Sequence, residues 1–252
     1  MAWHLQTQQK MLIGSHDEPV KYVFHVTDAP SPCIVSGGWD RKMKFWDVKG
    51  GDRALASVDL PERVYAMHVR GRMCVVGMAQ CKIHVYDMRK PQQVFMEKAS
   101  QLKHQTRCLE TFPDQQGFVL AGVDGRASID HVMDAKRKDD FTFKCYRPRE
   151  NSLLIYPVNC VSFFPGESSG VFATGGGNGI CNFWDKDTRQ RYREFPALKL
   201  PVTACNFSAD GRIFAYGVGY DWAKGAAEYN PSTMQPYILL HAVQEEDRKS
   251  VV

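Results

Sequence analysis

The sequence predicts an all-β protein with the architecture of a β-propeller. Segment 16–47 contains three strand-length runs, at 21–25, 33–36 and 42–47, which are separated by turn residues. No segment of the chain shows the sustained periodicity of an amphipathic helix. Short strands at even spacing, with turn residues between them, are typical of propeller blades.

The ending of the first unit, Phe45-Trp46-Asp47, recurs with variation along the chain. The early intervals are close to the roughly 40–45 residues of propeller repeats with four strands each. Later intervals are longer because loops such as 147–156 are longer. The other similar endings are Trp3-His4-Leu5, Val85-Tyr86-Asp87, Ser128-Ile129-Asp130 and Phe183-Trp184-Asp185.

Within each interval the same order of strands recurs, and a long insertion at 219–236 splits the last unit. The turn Asp124-Gly125 predicts a type I′ hairpin. The further predicted strands are 64–69, 73–78, 82–87, 93–97, 107–112, 118–123, 126–132, 141–145, 158–164, 171–174, 180–184, 191–195, 202–207, 213–218 and 237–243.

Residues 1–15 are expected to be the remnant of a preceding blade, and residues 16–252 to form propeller blades with a C-terminal strand and tail. Segment 3–5 resembles the third strand of a blade, and 9–13 its outer strand. About five blades are present, whereas a propeller must bring its first and last blades together. We therefore expect an N-terminally incomplete form of a longer, seven-bladed protein, with a true small propeller as the alternative.

Four side chains of the first complete unit match the polar network of WD-repeat blades. By that resemblance, Trp46, Ser36, His16 and Asp40 are hydrogen-bonded in a line, so that each buried polar group has a partner. His16 is therefore expected to be structural rather than catalytic. The network weakens along the chain, since no histidine precedes the strand predicted at 158–164.

Composition indicates a protein without metal or cofactor. The eight cysteines include no Cys-x-x-Cys pair and lie mostly in apolar runs, as free thiols of a reducing compartment do. Cys81-x-x-His84 has the spacing of metal ligands, but no second pair follows it. The net charge of +4 suits an acidic partner or nucleic acid, and no run predicts membrane insertion.

Two glycine-rich segments resemble catalytic motifs but lack their structural context. Gly166-Glu167-Ser168-Ser169-Gly170 fits a hydrolase pattern, yet it joins two predicted strands rather than a strand and a helix. Segment 175–179 is not followed by Lys-Ser/Thr or a helix, so it predicts a turn with positive φ values. We expect no enzyme, and a hydrolase that uses Ser168 is the rival hypothesis.

Basic and aromatic residues alternate in three segments, 141–149, 184–193 and 220–225. Aromatic faces beside Arg and Lys suit stacking on bases and pairing with phosphates. They suit an acidic peptide equally well. The simpler interpretation of each segment is a solvated loop whose aromatic residues pack on a blade.

Further family-specific sequences stand at 102–108, 141–145, 156–159 and 183–187. They resemble the mRNA export factor family of WD-repeat proteins. Its sibling, the mitotic spindle-checkpoint WD-repeat protein, shares some of them, whereas 214–216, 220–225 and 228–231 resemble the export factor rather than the sibling. The resemblance covers essentially the whole chain and is strongest from Leu102 onward.

This resemblance implies a non-catalytic adaptor of the nuclear pore. Such a protein binds a GLEBS segment of an FG-nucleoporin and mRNA or ribonucleoprotein, with spindle or checkpoint proteins as further partners. The implied location is the nucleus and the pore complex of the nuclear envelope, with shuttling to the cytoplasm. The alternative is a mitotic spindle-checkpoint adaptor that binds GLEBS motifs of kinetochore proteins.

By position, Arg126 and Lys144 match the basic residues of the family that receive glutamates of the GLEBS segment. A second set matches the rim that the family uses for nucleic acid, with Asp185 inside it. That set is Phe143, Trp184, Asp185, Arg189 and Arg191.

Overall fold

The computed structural model describes residues 1–27, 32–47, 49, 51, 53–147, 154–166 and 170–247. These residues form antiparallel β-sheets of two to four strands, which confirms the all-β prediction. The chain divides into two compact units, residues 1–100 and 101–252. Among the described residues, no helix is long and apolar enough to cross a membrane.

The first unit contains a two-stranded sheet and two four-stranded sheets, each formed by strands that follow one another in sequence. The two-stranded sheet pairs β1 (Ala2–Trp3) with β2 (Lys10–Met11). The next sheet contains β3 (Val20–Val26), β4 (Cys33–Gly38), β5 (Lys42–Asp47) and β6 (Ala56–Asp59). The last contains β7 (Val64–Arg70), β8 (Met73–Met78), β9 (Lys82–Asp87) and β10 (Val94–Ala99).

The second unit contains two four-stranded sheets and one three-stranded sheet of the same antiparallel type. The first contains β11 (Thr106–Thr111), β12 (Gly117–Gly122), β13 (Arg126–His131) and β14 (Phe141–Lys144). The second contains β15 (Val158–Phe163), β16 (Val171–Gly176), β17 (Cys181–Asp185) and β18 (Gln190–Glu194). The third contains β19 (Val202–Phe207), β20 (Ile213–Val218) and β21 (Tyr237–Ala242).

The predicted strands are present, and their bounds differ from the prediction by one or two residues at most. Strand β6 was not predicted, because Ala-Ser-Val-Asp is short and only Val58 of the four residues is buried. It pairs with β5 through Met43 and Val58 and completes a four-stranded sheet. Four-stranded antiparallel sheets in series are the blades of a β-propeller.

The predicted type I′ turn at Asp124-Gly125 is wrong. Gly125 has a φ of 67°, whereas Asp124 keeps a negative φ, and a type I′ turn needs positive values at both central residues. The connection 123–125 between β12 and β13 instead has three residues with glycine in the left-handed position. A Cβ at Gly125 would lie 2.7 Å from the Tyr156 carbonyl oxygen, so only glycine fits there.

Each unit buries its own core. In the first unit, β5 contributes Met43 and Phe45 to a cluster with Met67 and Val76 of the next sheet. In the second unit the core is rich in phenylalanine, and the ring of Phe183 lies 5.0 Å from that of Phe214. The eight cysteines are free thiols, as predicted, and burial raises the pKa of Cys74 to about 12.

In the first four-stranded sheet, the line of hydrogen bonds runs in the order that the sequence predicted. Trp46 Nε1 donates to Ser36 Oγ over 2.7 Å, and Ser36 Oγ lies 2.7 Å from His16 Nε2. His16 Nδ1 is 2.8 Å from Asp40 Oδ2, so the carboxylate holds the ring proton on Nδ1. Gly14 leaves room for the indole, because a Cβ there would lie 2.0 Å from Trp46 Cζ3.

Trp46→Ala is expected to lower the free energy of unfolding by about 3–5 kcal/mol, because it leaves a cavity and removes a partner of buried Ser36. Urea denaturation followed by circular dichroism measures the loss. Trp39→Ala is the matched control, since Trp39 is 41% exposed, and its cost should stay below about 1 kcal/mol. Equal losses in the two variants would show that the hydrogen-bonded line contributes little.

A buried carboxylate joins two sheets of the second unit to the segment that follows β21. Asp247 is fully buried and accepts hydrogen bonds from Arg193 of β18, His241 of β21 and the Gln244 backbone N–H. Burial alone would raise the pKa of Asp247, but these hydrogen bonds outweigh burial and hold it below its ordinary value. The charged form is therefore the one that stabilises the fold.

Asp247→Asn is expected to destabilise the protein at pH 7 by about 1–2 kcal/mol, since hydrogen bonds to a charged group are lost. Because folding lowers the pKa of Asp247, its contribution is complete above the unfolded pKa of about 4 and disappears as pH falls through the folded value. Unfolding at pH 7, 4 and 2.5 should therefore show a shrinking difference between wild type and variant. A difference that is constant with pH would contradict this assignment.

Candidate functional site

Arg126 and Lys144 face each other across the pair β13–β14 as direct register partners. Like charges placed directly opposite in a sheet repel each other and weaken the pairing. Lys144 is exposed and has no carboxylate partner among the described residues. The Arg126 side chain is 36% exposed, and its nearest carboxylate is Asp124, at 3.7 Å. The pair therefore presents excess positive charge to solvent.

Asp124 and Arg147 extend this cationic site, although the family resemblance matched neither of them to a GLEBS-binding residue. Arg147 Nε and Nη2 donate to the Asp124 backbone oxygen over 2.9 and 2.8 Å, which fixes the guanidinium plane. Asp124 is buried, and its Oδ1 has no hydrogen-bond partner among the described residues. The Asp124 carboxylate thus lies 3.7 Å from Arg126 and 3.6 Å from Arg147, and with Lys144 opposite Arg126 the four residues carry a net charge of +2.

A second surface lies at the opposite end of the equivalent strand in the next sheet. Arg126 begins β13, whereas Trp184 and Asp185 end β17. The ring of Phe143 lies 5.0 Å from Trp184 and 5.9 Å from Phe141, so three aromatic rings form a row. The structure thus brings the predicted Phe143 and Trp184 together and adds Phe141.

The Trp184 indole is held by a line of hydrogen bonds. This line is equivalent in position to the Trp46–Ser36–His16 line of the first four-stranded sheet. Trp184 Nε1 donates to Thr174 Oγ1 over 2.8 Å, and Thr174 Oγ1 lies 2.7 Å from the Tyr146 hydroxyl. Burial raises the pKa of Tyr146 well above its ordinary value, so the hydroxyl stays a donor, to the Thr174 carbonyl. Tyr146 takes the place of the histidine that the sequence lacks before β15.

The basic residues of this surface are not equivalent. The Arg189 guanidinium lies 4.5 Å from the Phe141 ring and forms no ion pair with any described residue. Arg191 lies 6.0 Å from the Trp184 ring and is paired with Glu194. Arg189 therefore carries the uncompensated charge of this surface.

Asp185 belongs to the turn that presents Arg189 rather than to the exposed face. Its carboxylate accepts hydrogen bonds from the Tyr192 and Thr188 hydroxyls and from the Asp187 backbone N–H. The same turn holds Arg189 at a φ of 59°, a left-handed conformation that is uncommon for residues other than glycine. Asp185 therefore positions the arginine.

Comparison with known proteins identifies the family. A model of the WD domain, G-beta repeat, matches residues 7–47. The chain is 35% identical to mRNA export factor GLE2 of Chaetomium thermophilum over 97% of its own length and 68% of that protein. It is 36% identical to protein Rae1 of Drosophila melanogaster, with coverages of 97% and 71%. The chain belongs to the mRNA export factor family of WD-repeat proteins.

Membership in the mRNA export factor family confirms the resemblance seen in the sequence and supports a role in mRNA export. A further relative, the Poly(A)+ RNA export protein of Schizosaccharomyces pombe, is 35% identical over 98% of this chain and 70% of its own length. WD-repeat proteins and mRNA export factors are generally adaptors without enzymatic activity. Together with the sheets described above, the match identifies the fold as a WD-repeat β-propeller.

Of the two glycine-rich segments that resemble catalytic motifs, one lies wholly within the described residues of this mRNA export factor family member. Segment 175–179 turns from β16 into β17, with Gly179 at a φ of 78°, as predicted. Ser168 lies outside the described residues. His84 hydrogen-bonds to the Tyr86 hydroxyl. In the described ranges, no group of three or more His, Cys, Asp or Glu could hold a metal ion.

Proposed function

We propose that the protein is a non-catalytic adaptor in the nuclear export of mRNA. It binds a GLEBS segment of an FG-nucleoporin through Arg126 and Lys144, and it contacts mRNA or ribonucleoprotein through the surface around Trp184 and Arg189. The observation that carries the proposal is the direct opposition of Arg126 and Lys144 across β13–β14. This role places the protein in the nucleus and at the pore complex of the nuclear envelope, with shuttling to the cytoplasm.

An extended acidic peptide suits the cationic site because the charges already present are poorly compensated. Two cations that face each other raise the free energy of the unbound protein, and an incoming carboxylate between them relieves the repulsion. Arg147, held by Asp124, offers a third donor beside the pair. Hydrogen bonds between charged groups contribute about 1.5–3 kcal/mol each. Two glutamates can therefore hold such a peptide in one register.

Single-stranded RNA suits the second surface because rings and a free guanidinium lie side by side there. Bases stack on aromatic faces at about 1–3 kcal/mol each, and arginine pairs with phosphate. Arg189 is the residue for phosphate, since Glu194 already neutralises Arg191. Phe141, Phe143 and Trp184 are the rings for stacking, because all three side chains are partly exposed.

The checkpoint alternative uses the same cationic site with a different partner. A pull-down from nuclear extract separates the two, since export predicts nucleoporins and the alternative predicts kinetochore proteins. The names of the relatives described above favour export.

Reversing both Arg126 and Lys144 to Glu is expected to abolish binding of a GLEBS peptide, because each new carboxylate repels the glutamate that it formerly bound. Isothermal titration calorimetry with the intact chain measures the effect. Lys136→Glu with Lys138→Glu is the matched control, since both lysines are exposed and the change in net charge is equal. The GLEBS assignment fails if the Arg126/Lys144 variant binds as tightly as the control.

Arg189→Ala is expected to lower the slope of log K against log salt for a single-stranded RNA by about 0.7, the value of one phosphate contact. Adding Arg191→Ala should bring the total to roughly one to two units, with the larger part from Arg189. Filter binding at several salt concentrations gives the slopes. Arg212→Ala is the control, because Arg212 is 85% exposed and lies outside this surface. An unchanged slope in the double variant would exclude this surface from RNA binding.

A further inference from the structure

The insertion 219–236 between β20 and β21 carries an aromatic cluster that neither proposed site uses. The ring of Trp222 lies 5.3 Å from Tyr220 and 4.9 Å from Tyr229, and Tyr220 lies 5.7 Å from Tyr229. The Tyr220 hydroxyl donates to the Gly225 carbonyl over 2.8 Å, and this hydrogen bond within the insertion stabilises its turn. We call these three rings the insertion cluster.

The insertion is anchored to two neighbouring sheets of the second unit. Asp221 Oδ2 accepts a hydrogen bond from Asn159 of β15 over 3.2 Å. The Asp221 backbone oxygen accepts one from Arg107 Nη2 of β11 over 3.4 Å. The rings are therefore presented on a segment with a defined position.

Trp222 adopts a strained backbone conformation, and burial of its side chain does not offset the cost. Its φ is 61°, in the left-handed region, where a bulky residue costs about 1–3 kcal/mol. The side chain is nevertheless 57% exposed, so little apolar burial offsets that cost. Strain of this kind is typical of residues that contact a ligand.

A cavity of about 440 Å³ adjoins the insertion cluster, within the range of peptide and small-molecule sites. The cluster, Met234 and Pro236 line it together with Arg107. Two hydrogen-bond donors of the cluster are free, since no described residue accepts from the Trp222 indole N–H or the Tyr229 hydroxyl. An incoming chain with unpaired carbonyl oxygens would satisfy both.

The charge around the cavity distinguishes between ligand classes. Arg107 and Asp221 are the charged residues that line the cavity, so the net charge of its lining is zero. Nucleic acid gains most of its affinity from several uncompensated cations, which this site lacks. An uncharged extended peptide needs no such cations for its affinity. A polyproline II helix leaves its backbone carbonyls unpaired, and such helices dock on surfaces lined by Trp and Tyr.

We propose that the insertion cluster binds a proline-rich segment of a partner protein in the polyproline II conformation. The proline rings pack on Trp222 and Tyr229, and the indole N–H and the hydroxyl donate to carbonyl oxygens of the peptide. This site is separate from the cationic pair and from the surface around Arg189.

Fluorescence anisotropy of a labelled decaproline peptide, titrated with the intact chain, tests the proposal. Saturable binding is expected, and a Gly-Ser decamer should not bind. Trp222→Ala should weaken decaproline binding by about tenfold, as the loss of a central aromatic anchor does. Trp222→Phe keeps a ring but removes the donor, so a loss of about fivefold is expected. Trp39→Ala, another exposed tryptophan, should bind as wild type does.

Circular dichroism of Trp222→Ala and Trp222→Phe first shows that both variants fold as wild type does. Decaproline binding no stronger than that of the Gly-Ser decamer would overturn the proposal. Equal affinity of wild type and Trp222→Ala would overturn it as well. Displacement of decaproline by decauridine would assign the cavity to nucleic acid instead, and would also refute the proposal.

Discussion

A hydroxyl buried in the second strand of a sheet must find hydrogen-bond partners inside the protein, and much of this structure follows from that need. Ser36 and Thr174 are both buried, and each accepts the indole N–H of a tryptophan on the third strand. On the other side each meets a ring from the segment that enters the sheet, His16 or Tyr146. An unpaired buried polar group costs about 1–3 kcal/mol, so these partners fix the path of the incoming chain.

The two proposed surfaces rest on different physical properties of the same unit. Arg126 and Lys144 are placed opposite each other by strand register, and Asp124 offsets only part of their repulsion. The surface around Trp184 depends on rings that pack against the core and stay partly exposed, with Arg189 beside Phe141. The first surface is therefore proposed to select charge at fixed spacing, and the second to select flat bases with little regard to sequence.

Strand positions could be predicted from the sequence because apolar residues alternate and turn residues follow each run. Strand β6 was missed although Ala-Ser-Val-Asp alternates apolar and polar residues, because the run is only four residues long and buries only Val58. The turn at Asp124-Gly125 carries a frequent hairpin dipeptide, yet a third loop residue changes its type, and spacing alone did not reveal this.

The residues of the candidate sites could be predicted from their types, but the contacts that surround them could not. Arg126 and Lys144 could be placed in one sheet, whereas the fixing of Arg147 by a backbone oxygen depends on how the loop folds. Tyr146 could not be recognised as the substitute for histidine, because a long loop separates it from β15. The difference between Arg189 and Arg191 arises from Glu194, whose position depends on side-chain conformation.

The line from Tyr146 through Thr174 to Trp184 joins two surfaces that were described separately. Tyr146 stands two residues after Lys144, and the indole at the far end of the line contacts Phe143, a ring proposed to bind RNA. Thermodynamic reciprocity requires that any effect of a ligand at one proposed site on affinity at the other be matched by an equal effect in the opposite direction. For the two proposed ligands, the free energy of the completed assembly is then the same whichever of them binds first.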